Sequence, residues 1–144
     1  MTQELEDICC EILKIRKNTT KLVMQKLLYC IQASSLVYLG KPAFEDEIQA
    51  WLYGPVVPNA YYRHNHLMIN YKNRITKISD EMKNLINIVI KGLANKTAYD
   101  LVNMTSSYKS WEDAFKREGS ITITKDEIAK CHNEIAEKQD GFIF

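Results

Sequence analysis

The chain has almost no net charge. Nineteen lysines and arginines face eighteen aspartates and glutamates over 144 residues, a formal balance of +1. No overall field gathers polyanions, so direct nucleic-acid binding is not expected without a local basic face. Glycine is scarce as well. Five glycines, with no Gly-x-x-x-x-Gly-Lys-Ser/Thr, Gly-x-Gly-x-x-Gly or Gly-x-Ser-x-Gly pattern, make a poor phosphate cradle. Histidine is limited to His64, His66 and His132, a thin supply for acid-base or nucleophilic catalysis. Cys9, Cys10, Cys30 and Cys131 show no metal-ligand spacing. The first residues lack the basic and apolar regions of a signal peptide. The thiols are therefore expected to stay reduced in the cytoplasm and to act as small apolar packing residues. The most apolar stretch, Leu22 to Leu39, is interrupted by Gln25, Lys26, Gln32, Ser34 and Ser35, and no membrane crossing is expected. No repeat, low-complexity tract or long linker divides the chain, which reads as one domain over 1–144.

What is present is the ordinary composition of a globular domain, 46% hydrophobic. A chain of this size buries roughly 70% of the surface its unfolded form exposes, enough for a core without metal or disulfide staples. Leu5, Ile8, Cys9, Ile12 and Leu13 recur at helical spacing and predict an amphipathic helix ending near Asn18. Thr19 or Thr20 can cap a second helix that is apolar almost all round and runs to Leu39, where Gly40 and Pro42 stop it. Such a helix belongs at the centre of the fold. From Phe44 to Tyr53 the period changes to two, with Phe44, Asp46, Ile48, Ala50 and Leu52 on one face, which predicts a strand. Tyr53-Gly-Pro-Val-Val-Pro then forces a stiff turn, and Pro58 opens a short helix to about His64. Ile69, Tyr71, Ile75 and Ile78 suggest a small hairpin or a ragged loop over 69–78. Ser79 caps a helix over 79–94 whose apolar stripe runs from Met82 to Leu93. Thr97 with Asp100, and Ser110 with Asp113, open two brief helices. Ile121 to Ile123 reads as extended, and Thr124 with Glu127 forms a capping box for a last helix. The apolar tail Gly141-Phe-Ile-Phe144 is expected to tuck against the core, the alternative being that it is offered to a protease or chaperone. The fold class is mainly helical, α+β: a compact domain around a buried central helix at about 20–39, with a small β element near 43–53 and a further one at 69–78 in the hairpin reading.

No residue set points to catalysis. Cys30 lies mid-helix among apolar residues, where burial raises a thiol pKa and makes a dyad with His64 unproductive. His64, His66 and Cys131-His132 fit no standard zinc site. Glu45, Asp46 and Glu47 alternate across a strand and cannot converge on one bond. No catalytic residue, cofactor or metal is assigned. The interleaved lysines and acids of the last third, Lys109 to Lys130, read as a mixed solvated face. Trp51, Tyr53, Tyr61 and Tyr62 cluster around the rigid turn. Such rings anchor interfaces at little rotamer cost, although rings at a junction of strand and helices also serve as packing.

The run Lys21-Leu-Val-Met-Gln-Lys-Leu-Leu-Tyr-Cys-Ile-Gln-Ala, followed by Gly40-Lys-Pro-Ala-Phe, Ile48-Gln-Ala-Trp and Tyr53-Gly-Pro-Val-Val-Pro, resembles the Panacea domain family of SocA-like antitoxins and GepA-like phage-associated proteins. Leu101-Val-Asn-Met-Thr-Ser with Trp111 resembles that family's second signature, with Ser106 where a histidine is usual. The resemblance covers about residues 5 to 135. It implies a mainly helical domain that serves as the antitoxin of a toxin-antitoxin pair and binds the toxin encoded by an adjacent gene directly, without catalysis. The alternative it implies is an adaptor or phage-associated protein that delivers its partner to a cellular protease. Some members carry an added DNA-binding domain, for which 144 residues leave no room. Joined to the aromatic cluster, the resemblance places the toxin-binding surface at Phe44, Trp51, Tyr53, Gly54, Pro55, Val56 and Tyr61, with the strand edge open to a partner strand.

Overall fold

The computed structural model describes residues 1–144 and holds eight helices around one apolar core. The first helix, α1 (Gln3–Ile15), is capped by Thr2, whose hydroxyl accepts the Leu5 N–H, and it buries Leu5, Ile8, Cys9, Ile12 and Leu13. The second, α2 (Lys21–Ser34), is capped in the same way by Thr20 and is buried from Val23 to its end. It then loosens into a π turn over Ser35–Leu39 and stops at Gly40, whose φ of 69° suits glycine. Lys21–Leu39 is the one helix long and apolar enough to cross a membrane, but 72% of that span is buried inside the protein, as a core helix is. The central helix expected at 20–39 is present.

The β element is a three-stranded antiparallel sheet, β1 (Ile48–Trp51), β2 (Gly54–Val56) and β3 (Thr122–Ile123), in the order β2-β1-β3. Gln49 pairs with Val56, Ala50 with Pro55 and Trp51 with Gly54 on one side, and Ile48 pairs with Ile123 on the other. This arrangement corrects two expectations. The strand is shorter than 44–53, because the Gln32 side chain takes the backbone of Ala43 and Phe44 while Asp46 bonds Thr2 and Asn59. It also has no edge open to a partner strand, since β2 and β3 flank it. The inward face is nevertheless the expected one from Phe44 to Ala50 and fails only at Leu52, where the chain turns outward.

Beyond the sheet come α3 (Pro58–Tyr61), α4 (His64–Asn70), a 3₁₀ turn at Tyr71–Asn73, α5 (Asp80–Gly92), α6 (Ala98–Ser106), α7 (Lys109–Lys116) and α8 (Lys125–Lys138). No hairpin forms at 69–78. Ile69 and Ile75 are exposed while Tyr71 is buried and Ile78 packs against the core, so the alternation marks no strand face, and the chain over 74–79 is irregular, as the loop alternative has it. That segment is laid along α1 instead, where the buried Asp7 carboxylate accepts from Arg74 Nε at 2.7 Å and from the Lys77 N–H, and Thr76 bonds Glu11. Capping boxes at Thr97/Asp100 and Thr124/Glu127 form as expected. Ser110, by contrast, caps nothing: α7 begins at Lys109, and the Ser110 hydroxyl is turned inward to Tyr29 Oη at 2.7 Å. The tail is tied down. Ile143 is buried, its carbonyl accepts from His132 Nδ1 at 2.6 Å, and Tyr38 Oη donates to Gly141 O.

Candidate functional site

The turn after β1 is fixed from beneath by α2. Over about two turns that helix places buried polar side chains against the β element: Gln25 Oε1 accepts the Val57 N–H at 3.0 Å, Lys26 Nζ donates to Pro55 O at 2.9 Å, and Gln32 bonds both ways to residues 43 and 44. Backbone groups that the short strands leave unpaired are satisfied by these side chains. Gly54 is required there. Its φ is 106°, and a Cβ would sit 3.0 Å from Thr105 Oγ1 and 3.2 Å from Lys26 Cε. From α7, Trp111 Nε1 donates to the Trp51 carbonyl at 2.9 Å, so the turn is held on two sides.

This frame sorts the residues expected to touch a partner. Phe44 is 2% exposed, and Gly54, Pro55 and Val56 are buried under α2 and α6; they build the turn and offer no side-chain surface. Tyr53 is 65% exposed, and Trp51 and Tyr61 are half-buried. Three residues outside that set stand beside them: Leu52 at 66% exposure, Tyr62 at 75% and Leu22 at the start of α2. The rings are mutually ordered. Trp51 and Tyr61 meet edge to face with centroids 5.0 Å apart, Tyr61 and Tyr62 at 5.3 Å, and Lys21 Nζ lies 4.6 Å from the Tyr61 centroid. Gln49 Oε1 accepts from Trp51 Nε1, which fixes the indole. Between these rings and α2 lies a recess of about 290 Å³, with Lys21 and Lys26 among its lining and no acidic residue.

Lys26 is the residue that pattern reading passed over. It is fully buried, and burial lowers its pKa to about 8 from the ordinary 10.5. No carboxylate faces it. The signal in the sequence was a lysine interrupting an apolar helix that has no polar side, which places that lysine inside.

The groups weighed for catalysis lie elsewhere. Cys30 is buried, with its thiol pushed up to about 12 by desolvation. His64 is buried, with its pKa lowered by desolvation and by the charge of Lys21. His66 is exposed and bonds Asn70, whereas His132 is enclosed between Tyr29 and the tail. No three His, Cys, Asp or Glu side chains gather as metal ligands. Asp46 turns inward to Thr2 and Asn59, Glu45 reaches Lys125, and Glu47 bonds Thr122, so the three acids diverge as the alternation required. The basic residues of the last third are largely paired, in Lys109–Asp113, Lys116–Glu112 and Arg117–Glu127.

A second concavity, of about 530 Å³, opens on the far side between α5, the π turn and the tail, lined by Tyr38, Leu85, Ile88 and Phe142 among others. Its apolar lining was hidden in the sequence because Ile88 lies off the stripe that α5 buries. No characterised protein and no solved structure matches the chain. A family model described as antitoxin SocA-like, Panacea domain, matches residues 24–112, from the buried part of α2 through Trp111.

Proposed function

Because the chain belongs to the SocA-like, Panacea domain antitoxin family, we propose that it is an antitoxin that neutralises a toxin encoded by an adjacent gene by binding it directly, through the aromatic surface over the turn. Trp51, Tyr53 and Tyr61 are the anchors, extended by Leu22, Leu52 and Tyr62. Phe44, Gly54, Pro55 and Val56 act beneath them by holding the turn in shape. One observation carries the reading: large rings stand exposed on a backbone that buried side chains of α2 and an indole of α7 hold rigid. Rigid aromatic anchors lose little entropy on binding, which is what concentrates binding energy in a few residues. Neutralisation is then steric or conformational, with no bond made or broken by this chain, in the cytoplasm.

The test is co-purification with the neighbouring gene product followed by affinity measurement on Trp51→Ala and Tyr53→Ala variants that keep the wild-type circular dichroism spectrum. Each substitution is expected to weaken binding by about 2 kcal/mol. Unchanged affinity in both variants places the interface elsewhere.

A further inference from the structure

We propose that the recess between α2 and the Trp51–Tyr61 pair is a carboxylate socket, which receives an Asp or Glu side chain carried on an otherwise apolar segment of the protein partner. This rests on the reading of the aromatic face as the partner-binding surface and adds the chemistry of what that surface takes.

Charge complementarity carries the argument. The recess is lined by Lys21 at its rim, Lys26, and apolar side chains that include Leu22, Trp51 and Val56, with no acid among them. Five lysines are answered by acids on the protein itself, Lys14 by Glu11, Lys41 by Glu81, Lys109 by Asp113, Lys116 by Glu112 and Lys125 by Glu45, and the unpaired ones outside this recess reach solvent instead. Lys26 is the fully buried one, yet its three donors have a single acceptor, the Pro55 carbonyl. A buried ammonium with one neutral partner is an uncompensated charge, and its lowered pKa records that cost. The start of α2 adds to the imbalance, since beside the neutral Thr20 cap its first turn holds no acid. A carboxylate entering the recess meets the Lys21 ammonium at its rim and lies in the field of the fully buried Lys26 ammonium, and its apolar neighbours settle on Leu52, Tyr53 and Tyr62, which are already exposed. A cavity of about 290 Å³ suits one side chain better than a nucleotide.

The test uses the full chain and needs no partner. 3-Phenylpropionate is the probe, 3-phenylpropanamide its neutral counterpart and inorganic phosphate the rival anion, with binding followed by the Lys26 Cε and Trp51 indole resonances. The acid is expected to shift both signals to saturation and to bind about tenfold more tightly than the amide. Lys26→Met is expected to remove that preference without changing the amide's affinity, and Lys21→Gln, a surface change, to reduce the preference in part. Equal binding of acid and amide, or binding of neither, overturns the socket and leaves an apolar surface. Phosphate binding more tightly than the acid overturns the carboxylate in favour of a phosphorylated ligand. These results are independent of the toxin measurement. If the acid binds here while Trp51→Ala and Tyr53→Ala leave toxin affinity unchanged, the partner reading has failed and a protein carboxylate is overturned as the occupant.

Discussion

Two polar clusters are inlaid in the same core, less than one helical turn apart along α2, and they are completed differently. Around Tyr29 the hydroxyl and imidazole groups are bonded in a chain, with only the Tyr108 hydroxyl, on the ring stacked against Tyr29, left without a partner. His132 Nδ1 donates to Ile143 O, which makes Nε2 the acceptor for Tyr29 Oη at 2.8 Å, and Tyr29 in turn accepts from the Ser110 hydroxyl at 2.7 Å. Around Lys26 an ammonium has one carbonyl, and the neighbouring Gln25 leaves its amide nitrogen without a partner. Thr105, the other hydroxyl at that place, donates to Leu101 O within its own helix. The Tyr29 network ties α2, α7, α8 and the tail together, whereas the Lys26 cluster stands beside a recess that an outside group can enter.

The contrast breaks most visibly at His132. Replacing it by Leu removes one partner each from Tyr29 and Ile143 in a fully buried site, and is expected to cost about 3 kcal/mol of unfolding free energy, measured by denaturant titration. The same residue gives the protein an acid limb. Burial lowers the His132 pKa from 6.5 to about 4. Between those values the unfolded chain binds the proton and the folded chain does not, so stability is complete above about pH 6.5 and falls as the pH drops toward 4, by up to about 3 kcal/mol. In His132→Leu this contribution to the acid limb is expected to be absent. An unchanged slope in the variant would show that the network around Tyr29 does not depend on the neutral ring.

The turn responds to a smaller change. Gly54→Ala sets a methyl against Thr105 and Lys26 at a backbone angle that L-residues rarely adopt, and is expected to cost about 2 kcal/mol by denaturant titration. Because the strain falls on the frame that presents Trp51 and Tyr53, partner affinity is expected to fall with it. A fully stable Gly54→Ala variant would mean that the frame is softer than its hydrogen bonds indicate.

These two regions were not equally legible from sequence. Local signals translated directly: the Thr97/Asp100 and Thr124/Glu127 boxes and the Ser79 cap close within three residues and need nothing from the rest of the chain. The same pattern at Ser110/Asp113 misled because a tertiary partner, Tyr29, claimed the serine. Apolar alternation located the inward face of residues 44–50 but not the extent of the strand, which is decided by Gln32 and Asp46 from elsewhere in the fold. At 69–78 it left hairpin and ragged loop open, and the irregular form holds over 74–79 because Asp7 and Glu11 take that segment by polar contacts. At the candidate site the aromatic cluster and the rigid turn were visible. The division between anchors and frame was not, since it depends on which side of the turn faces α2.

Lys26 gives the smallest expected effect on the fold and the sharpest test of the comparison. Lys26→Met removes a buried charge, which favours the folded state, and leaves the Pro55 carbonyl without its donor, which opposes it. The two changes are similar in size, so unfolding free energy at pH 7 is expected to move by no more than about 1 kcal/mol. The pH dependence separates them. With a folded pKa near 8 against 10.5 unfolded, Lys26 lets stability rise as the pH climbs through that interval, by up to about 3 kcal/mol. The buried thiols of Cys9, Cys10 and Cys30 and the Tyr108 hydroxyl, all raised by burial, act in the opposite sense, because the unfolded chain ionises first. The total curve therefore hides the lysine, and the difference between wild type and Lys26→Met isolates it. That difference is expected to shift in favour of wild type between pH 8 and 10.5. A flat difference would mean that Lys26 is already compensated inside the fold, and the two clusters on α2 would then be alike.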